Sequence, residues 1–187
     1  MKILVIPEDQ QSDQYIVKPI VVRIAWDVGI RGQVEVLGEP RLRGASDALN
    51  PAFLREIVEE NRTADAFVLV VDRDCDRDRH EARLADRVRE HGGKVIGCLA
   101  RQEIEVWMLA LYSDKLDAPW QTVRDECDPK ERFAEPLLRS LKSVGPGGGR
   151  KEAMRALDGN GLKALLTKCS ELADLRDALA ALKNKTS

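Results

Sequence analysis

The sequence predicts an α/β fold: a doubly wound, mostly parallel sheet with helices on both faces, followed by a C-terminal helical extension. Three observations predict it. The runs KILVI (2–6), AFVLVV (66–71) and KVIGCLA (94–100) are too continuously apolar for strands with one solvated face, so both of their faces must be covered. Polar segments with helical periodicity separate these runs, and parallel strands need such crossover connections. Beyond residue 101 the pattern is helical throughout. The 187 residues therefore divide into an α/β core, 1–115, and a helical extension, 116–187, packed on it.

Each element has its own local reason. KILVI is a buried central strand. Ser12 is the expected cap of the next helix, whose apolar positions Tyr15, Ile16, Ile20, Ile24 and Val28 recur at helical spacing until Gly29. Pro19 within it implies a kink or a later start. QVEVL (33–37) alternates as a strand does, and EPRLRGAS (39–46) reads as a loop. Asn50-Pro51 supplies an N-cap and a first-turn proline for a helix to about Asn61. AFVLVV is the next buried strand. A polar helix from about 79 to His91 stops at Gly92-Gly93, and KVIGCLA closes a βαβαβαβ order. In the rear, RQEIEVWMLALY is expected to be one helix and PKERFAEPLLRSLK another. Two more follow GPGGG (145–149), the last ending near Lys183.

Composition narrows the function classes. The chain is 43% hydrophobic and 33% charged, in the range of a globular domain. No apolar run approaches the roughly 18 residues of a membrane span. MKILVIPED turns acidic before a signal-peptide pattern develops, so a cytoplasmic location is expected. Cys75, Cys98, Cys127 and Cys169 are scattered singly, with neither a CxxC pair nor a histidine at zinc-ligand spacing. They are expected to be reduced thiols, and a structural zinc is not expected. The net charge of −2 hides an asymmetry, because residues 129–187 carry 12 Lys and Arg against 7 Asp and Glu, and the front is correspondingly acidic. That division suits a metal site facing a polyanion, although solvated helix faces account for the basic part equally well.

The carboxylates concentrate where a parallel sheet binds its ligands, outside the carboxyl ends of the strands. Glu8 and Asp9 follow the first strand, and Asp72 and Asp74, in VVDRDCDRDRH (70–80), follow the third. If those strands are neighbours, four carboxylates converge on one edge. Such a cluster repels itself and raises its own pKa values unless a cation neutralises it, and oxygen-only ligands are what Mg²⁺ or Mn²⁺ prefers. Asp76 is a weaker candidate, because RDRHEARLADRVREH looks like a solvated helix with acidic residues near its positive end. Glu103 and Glu105 follow the last strand; two residues apart on a helix they cannot share a face, so at most one is expected to reach a metal. Trp107, Met108 and Leu111 read as core, and His80 and His91 as surface residues. For the phosphate side the candidates are Arg41, Arg43, Arg73, Lys130, Arg150 and Lys151. GPGGGRK is not a P-loop, since it lacks the GxxxxGK[ST] spacing and an upstream strand; a flexible connector explains it as well. No Ser-His-Asp or Cys-His arrangement stands out.

A glutamate after the first strand, a doubly wound core and a DxD after a later strand resemble the Toprim domain of topoisomerases, bacterial primases and the overcoming-lysogenization-defect nucleases. More narrowly, VIPEDQQSDQYIVKP, VLVVDRD, RQEIEVWMLA, DPKERF and GGGRKEAM resemble a prokaryotic Toprim-like family often discussed with phage-defence proteins. The broader resemblance spans roughly residues 1–112 and the narrower one nearly the whole chain. It implies a Rossmann-like core and metal-dependent phosphodiester chemistry, with Glu8 matching the Toprim glutamate and Asp72 and Asp74 its DxD. The overcoming-lysogenization-defect enzymes usually carry a second acidic residue four positions after that glutamate. Ser12 stands there in this chain; Asp13, with a shifted loop, or Asp9 are the substitutes.

The expected function is therefore a Mg²⁺- or Mn²⁺-dependent, nuclease-like enzyme acting on nucleic acid. Asp72 and Asp74 hold the ion, and Glu8 serves as ligand or general base. One metal is expected, with a second recruited by substrate. The alternative is a non-catalytic binding or regulatory subunit whose helical extension docks a partner ATPase. The low aromatic content of 4% favours this over a single-strand binder. A nucleotide-sugar transferase, which also uses DxD, would need a sugar-binding lobe that the sequence does not offer.

Overall fold

The computed structural model describes residues 1–75 and 77–186. Four strands, β1 (Lys2–Pro7), β2 (Gln33–Val36), β3 (Ala66–Asp72) and β4 (Val95–Ala100), form one sheet in the order β2-β1-β3-β4, with every neighbouring pair parallel. Pro7 lies beside Val70, and Asp72 beside Ala100, so the residues that follow β1, β3 and β4 leave the sheet at a common edge.

Both faces of the two central strands are buried, which is why they read as continuous apolar runs. On one face Ile3, Val5, Val68, Val70, Ile96 and Cys98 pack against α1 (Gln10–Asp27). On the other, Leu4, Ile6, Phe67, Leu69 and Val71 meet α3 (Pro51–Glu60) and α4 (Arg77–Glu90), beyond the short α2 (Ala45–Ala48). Gly97 lets α4 approach β4 closely, for a Cβ there would stand 2.9 Å from Leu84 Cγ. Asn50 caps α3 through hydrogen bonds from the Ala52 and Phe53 amides, with Pro51 in the first turn, as the dipeptide predicts.

Two helix predictions are corrected. The first helix begins at Gln10, not after Ser12: Asp9 is its cap, accepting from the Gln11 and Ser12 amides, and a carboxylate also suits the positive helix end. Pro19 is accommodated within α1. After β4, only Glu105–Ala110 forms α5; residues 101–104 turn the chain away from the sheet, with Gln102 at φ +66°.

The extension continues through α6 (Trp120–Asp125), a π-helical turn at Lys130–Ala134, α7 (Glu135–Ser140), α8 (Arg150–Ala153), α9 (Gly161–Lys168) and α10 (Ser170–Thr186). Its Leu137, Met154, Leu165, Leu172 and Leu179 join the α1 side of the sheet in one continuous apolar cluster. A buried pair fastens it: Arg124 of α6 bonds both oxygens of Glu171 on α10, and Trp107 Nε1 donates to the same carboxylate at 2.8 Å. No helix is long and apolar enough to cross a membrane among the described residues.

Candidate functional site

The site is assembled at the carboxyl edge of β1, β3 and β4. Glu8 is the first residue past β1, half-buried, and its Oε2 is buried with no hydrogen-bond partner among the described residues. Asp72 ends β3, and its Oδ1 accepts from the Ile104 amide at 3.0 Å, which ties the β3 terminus to the chain leaving β4. Asp74 lies one turn further, exposed, at φ +50°, with its amide donating to Gln102 O at 3.0 Å. A left-handed backbone suits aspartate better than a branched residue there.

α1 adds a carboxylate to which sequence reasoning gave only a conditional place. Asp13 is buried, accepts from the Asp9 amide at 3.1 Å, and faces the cluster five positions after Glu8. The signal was present, because Asp13 shares the helix stripe of Ile16, Val17, Ile20 and Ile24, all buried, so an acid at that register must face inward. Asp9, the other substitute, is exposed and its side chain is engaged as the helix cap.

Glu103 and Glu105 both border the cluster, because Glu103 precedes α5 and the helical spacing argument does not apply to it. Glu103 accepts from the Lys130 amide at 3.1 Å. Glu105 is buried and takes both Arg150 Nε (3.2 Å) and Nη2 (2.6 Å) on one oxygen. Arg150 thus acts as an internal counter-ion. It lies just after the glycine loop, held further by its Nη1 donating to Gly147 O at 2.9 Å.

The electrostatics follow from this crowding. Burial, then the charges of Asp74 and Asp13, push Glu8 up to about 8, against an opposing pull from the Asp72 backbone. Burial above all, with Glu105 and Asp9 adding charge and the Asp9 backbone and Arg150 opposing, raises Asp13 to about 7. Glu103 rises to about 7 through burial and the neighbouring Glu105. Asp72 stands well above the usual carboxylate range through burial and the charges of Glu8, Asp13, Glu105 and Glu103. All of these donors are carboxylate oxygens, the chemistry a hard divalent cation selects. Among the described residues, however, no three His, Cys, Asp or Glu side chains are gathered closely enough to hold one metal ion. Asp76 lies outside the described residues.

The basic candidates separate. Arg41 and Arg43 are exposed on a loop that lies against the start of α1. Gln10 donates to Pro40 O at 2.7 Å and accepts from the Leu42 amide, and the Gly44 amide donates to Glu8 O at 3.2 Å. Arg41 itself bonds Gln11 Oε1 at 2.8 Å. Arg73 turns away, into a groove of about 900 Å³ that runs along the outer edge of β4 between α4 and α10. Lys130 contributes its backbone, Arg150 is committed to Glu105, and Lys151 faces outward into a different groove beside α1.

The cysteine expectation is overturned for one pair. Cys75 and Cys127 form a disulfide, with Cα atoms 5.7 Å apart, while Cys98 and Cys169 are free and buried. The turn after β3 and the loop after α6 meet at the carboxyl edge, a proximity across 52 residues that spacing along the chain cannot reveal. The bond anchors the Asp74 turn to the helical extension.

Compared with known proteins, the chain matches no family model, no curated protein and no solved structure.

Proposed function

We propose that the chain is a Toprim-like enzyme with a doubly wound core, dependent on Mg²⁺ or Mn²⁺, that cleaves nucleic-acid phosphodiesters in the cytoplasm as part of phage defence. One observation carries the reading: Glu8, Asp13, Asp72 and Glu103 crowd one edge of a parallel sheet with their carboxyl groups pushed far toward the neutral form. A cluster that strained gains most from a bound cation. The donor set fits a hard divalent ion in kind, and the unpartnered Glu8 Oε2 fits a missing ligand. Glu8 and Asp72 would hold it, with Asp74 beside them and Asp13 in the second acidic place. When bound, such an ion supplies Lewis-acid stabilisation of a phosphate and a more acidic water.

The chain's own residues have complementary roles in this reading. Glu8 is the ligand in this reading; where the ion rests on Asp72 and Asp74 instead, the raised proton affinity of Glu8 suits it to general base work. Arg41 and Arg43, exposed on the loop against Glu8, are suited to hold phosphates at the mouth. The test is incubation with plasmid, single-stranded DNA and tRNA in Mg²⁺, in Mn²⁺ and in EDTA. Cleavage that needs the metal and is lost in Asp72→Asn is the expected result; intact substrates in every arm reject the enzyme.

Two observations favour a second reading, a regulatory subunit that docks a partner ATPase. Arg150 already neutralises Glu105, and the outer edge of β4 pairs with no strand among the described residues while lining a large groove. Titration with Mn²⁺ separates the readings, since a regulatory subunit need not bind it through Asp72.

A further inference from the structure

A second groove, of about 510 Å³, runs along α1 beside α8 and the turn that follows it. Its floor is apolar, formed by the half-buried Tyr15 and Val22 over the buried Met154 and Leu157, and its walls carry Lys18, Arg23, Lys151 and Arg155 against a single acid, Asp158. Lys18, Arg23 and Lys151 have no carboxylate within ion-pair distance among the described residues, and Arg23 Nε is buried without a hydrogen-bond partner there. Among the described residues Arg155 pairs only with the exposed Glu152, at 3.4 Å. Three cations without an ion pair among the described residues therefore line one groove, beside a fourth held only loosely.

The groove and the carboxylate cluster share no lining residue, but they are built on the same two helices. α1 gives Asp13 to the cluster and, one to five residues later, Gln14, Tyr15 and Lys18 to the groove. α8 gives Arg150 to Glu105 and the next residue, Lys151, to the groove. Gly147, at φ +67°, lets the glycine loop lie against the Tyr15 ring, where a Cβ would collide with it. The ring is therefore backed by the loop.

We propose that this groove is the track that leads a single strand of nucleic acid to the carboxylate edge, with phosphates on Lys18, Arg23, Lys151 and Arg155 and bases resting on Tyr15 and its apolar neighbours. The proposal rests on the phosphodiester reading above and adds the strandedness and the path of the substrate. A cationic wall alone would suit any polyanion. The part-exposed Tyr15 ring decides for a strand with exposed bases, since it offers one stacking place in a chain otherwise poor in aromatics, whereas a duplex presents phosphates and sugars. The volume lies within the roughly 300–1,000 Å³ of ligand clefts, room for a short stretch of strand in contact at once.

The test uses the full chain in EDTA, so that no cleavage intervenes, and a fluorescein-labelled oligothymidylate followed by anisotropy across a salt series. Wild type should bind, and Lys18→Ala/Lys151→Ala/Arg155→Ala should bind at least tenfold more weakly with a salt slope shallower by about 2, at about 0.7 per lost phosphate contact. All three side chains are exposed, so the melting temperature should not move, and Lys18→Arg/Lys151→Arg should bind like wild type. Tyr15→Leu should weaken binding with the slope unchanged. An unaltered slope in the triple variant overturns the track, as does wild type failing to bind. Displacement of the strand by equal concentrations of a duplex or of polyglutamate overturns it too, pointing to a shape-blind or acidic-protein surface. Metal-dependent cleavage with an unaltered slope would sink the track alone; tight, slope-sensitive binding without cleavage in any metal would sink only the enzyme.

Discussion

Asp72 shows how one side chain serves structure and charge in opposite senses. Its Oδ1 accepts the Ile104 amide, a bond that an asparagine oxygen can keep, while its charge faces four other carboxylates. Asp72→Asn should therefore melt, in EDTA, at the wild-type temperature or above it. Asp74→Asn should behave alike, because asparagine tolerates the left-handed backbone at φ +50°. A large fall in both melting temperatures would make these aspartates structural. The pH dependence has a definite sign. Glu8 rises from 4.5 to about 8 and Asp13 from 3.8 to about 7 on folding, so the metal-free native state holds protons that the unfolded chain has released. The contribution of these two groups to stability is then fullest below about pH 4 and is lost as pH climbs to about 8. Denaturant midpoints in EDTA between pH 5 and 9 should decline, and Glu8→Gln should flatten the decline. Glu8, Asp72 and Asp74 were legible as candidates because each stands within three residues of the end of an apolar run. Asp13 was legible only in part, since its inward register depends on where α1 begins.

At the scale of elements, the turn after β3 and the loop after α6 are joined by Cys75–Cys127. Closing a loop of 52 residues restrains the unfolded chain by up to about 4 kcal/mol on a chain-entropy view. Alkylation of the unfolded protein should find two free thiols before reduction and four after. Cys75→Ser with Cys127→Ser should lower the melting temperature and loosen the Asp74 turn, read as faster amide exchange at residues 73–75; four thiols before reduction would remove the bond. Such a bond is uncommon in a reducing compartment, so the thiol count also bears on the expected cytoplasmic location. The strands, by contrast, were readable almost to the residue, β1, β3 and β4 because their length is written in continuous apolar runs and β2 through its alternation. The helix starts were less so. Asp9 and Ser12 are both good caps, and only the path of the chain out of β1 chose between them.

For the whole molecule, the division at residue 115 separates sequence patterns but not cores. Ile20 of α1, Val68 of β3 and Leu165, Leu172 and Leu179 of the extension belong to one apolar cluster. A chain truncated after 115 should lose cooperative unfolding and bind a hydrophobic dye, whereas the full chain should unfold in one transition; a cooperative fragment would make the extension a separate unit. The charge asymmetry is rearranged in the same way. Arg150, counted among the basic rear, is consumed inside the acidic front by Glu105, while Lys18 and Arg23 of the front share a groove with Lys151 and Arg155 of the rear.

What the sequence by itself determined is what local patterning can encode: the parallel α/β class, four strands, and acids set at strand ends, because burial on both faces and helical spacing leave marks within a few residues. The tertiary structure decided which of those acids feel one another's charge, that Asp13 is among them, that Cys75 finds Cys127, and that Arg150 points in while Lys151 points out. Each of these is a contact between residues tens of positions apart, or a choice between adjacent side chains. Such outcomes depend on strand order and on the direction from which a helix packs, and no periodicity along the chain records them.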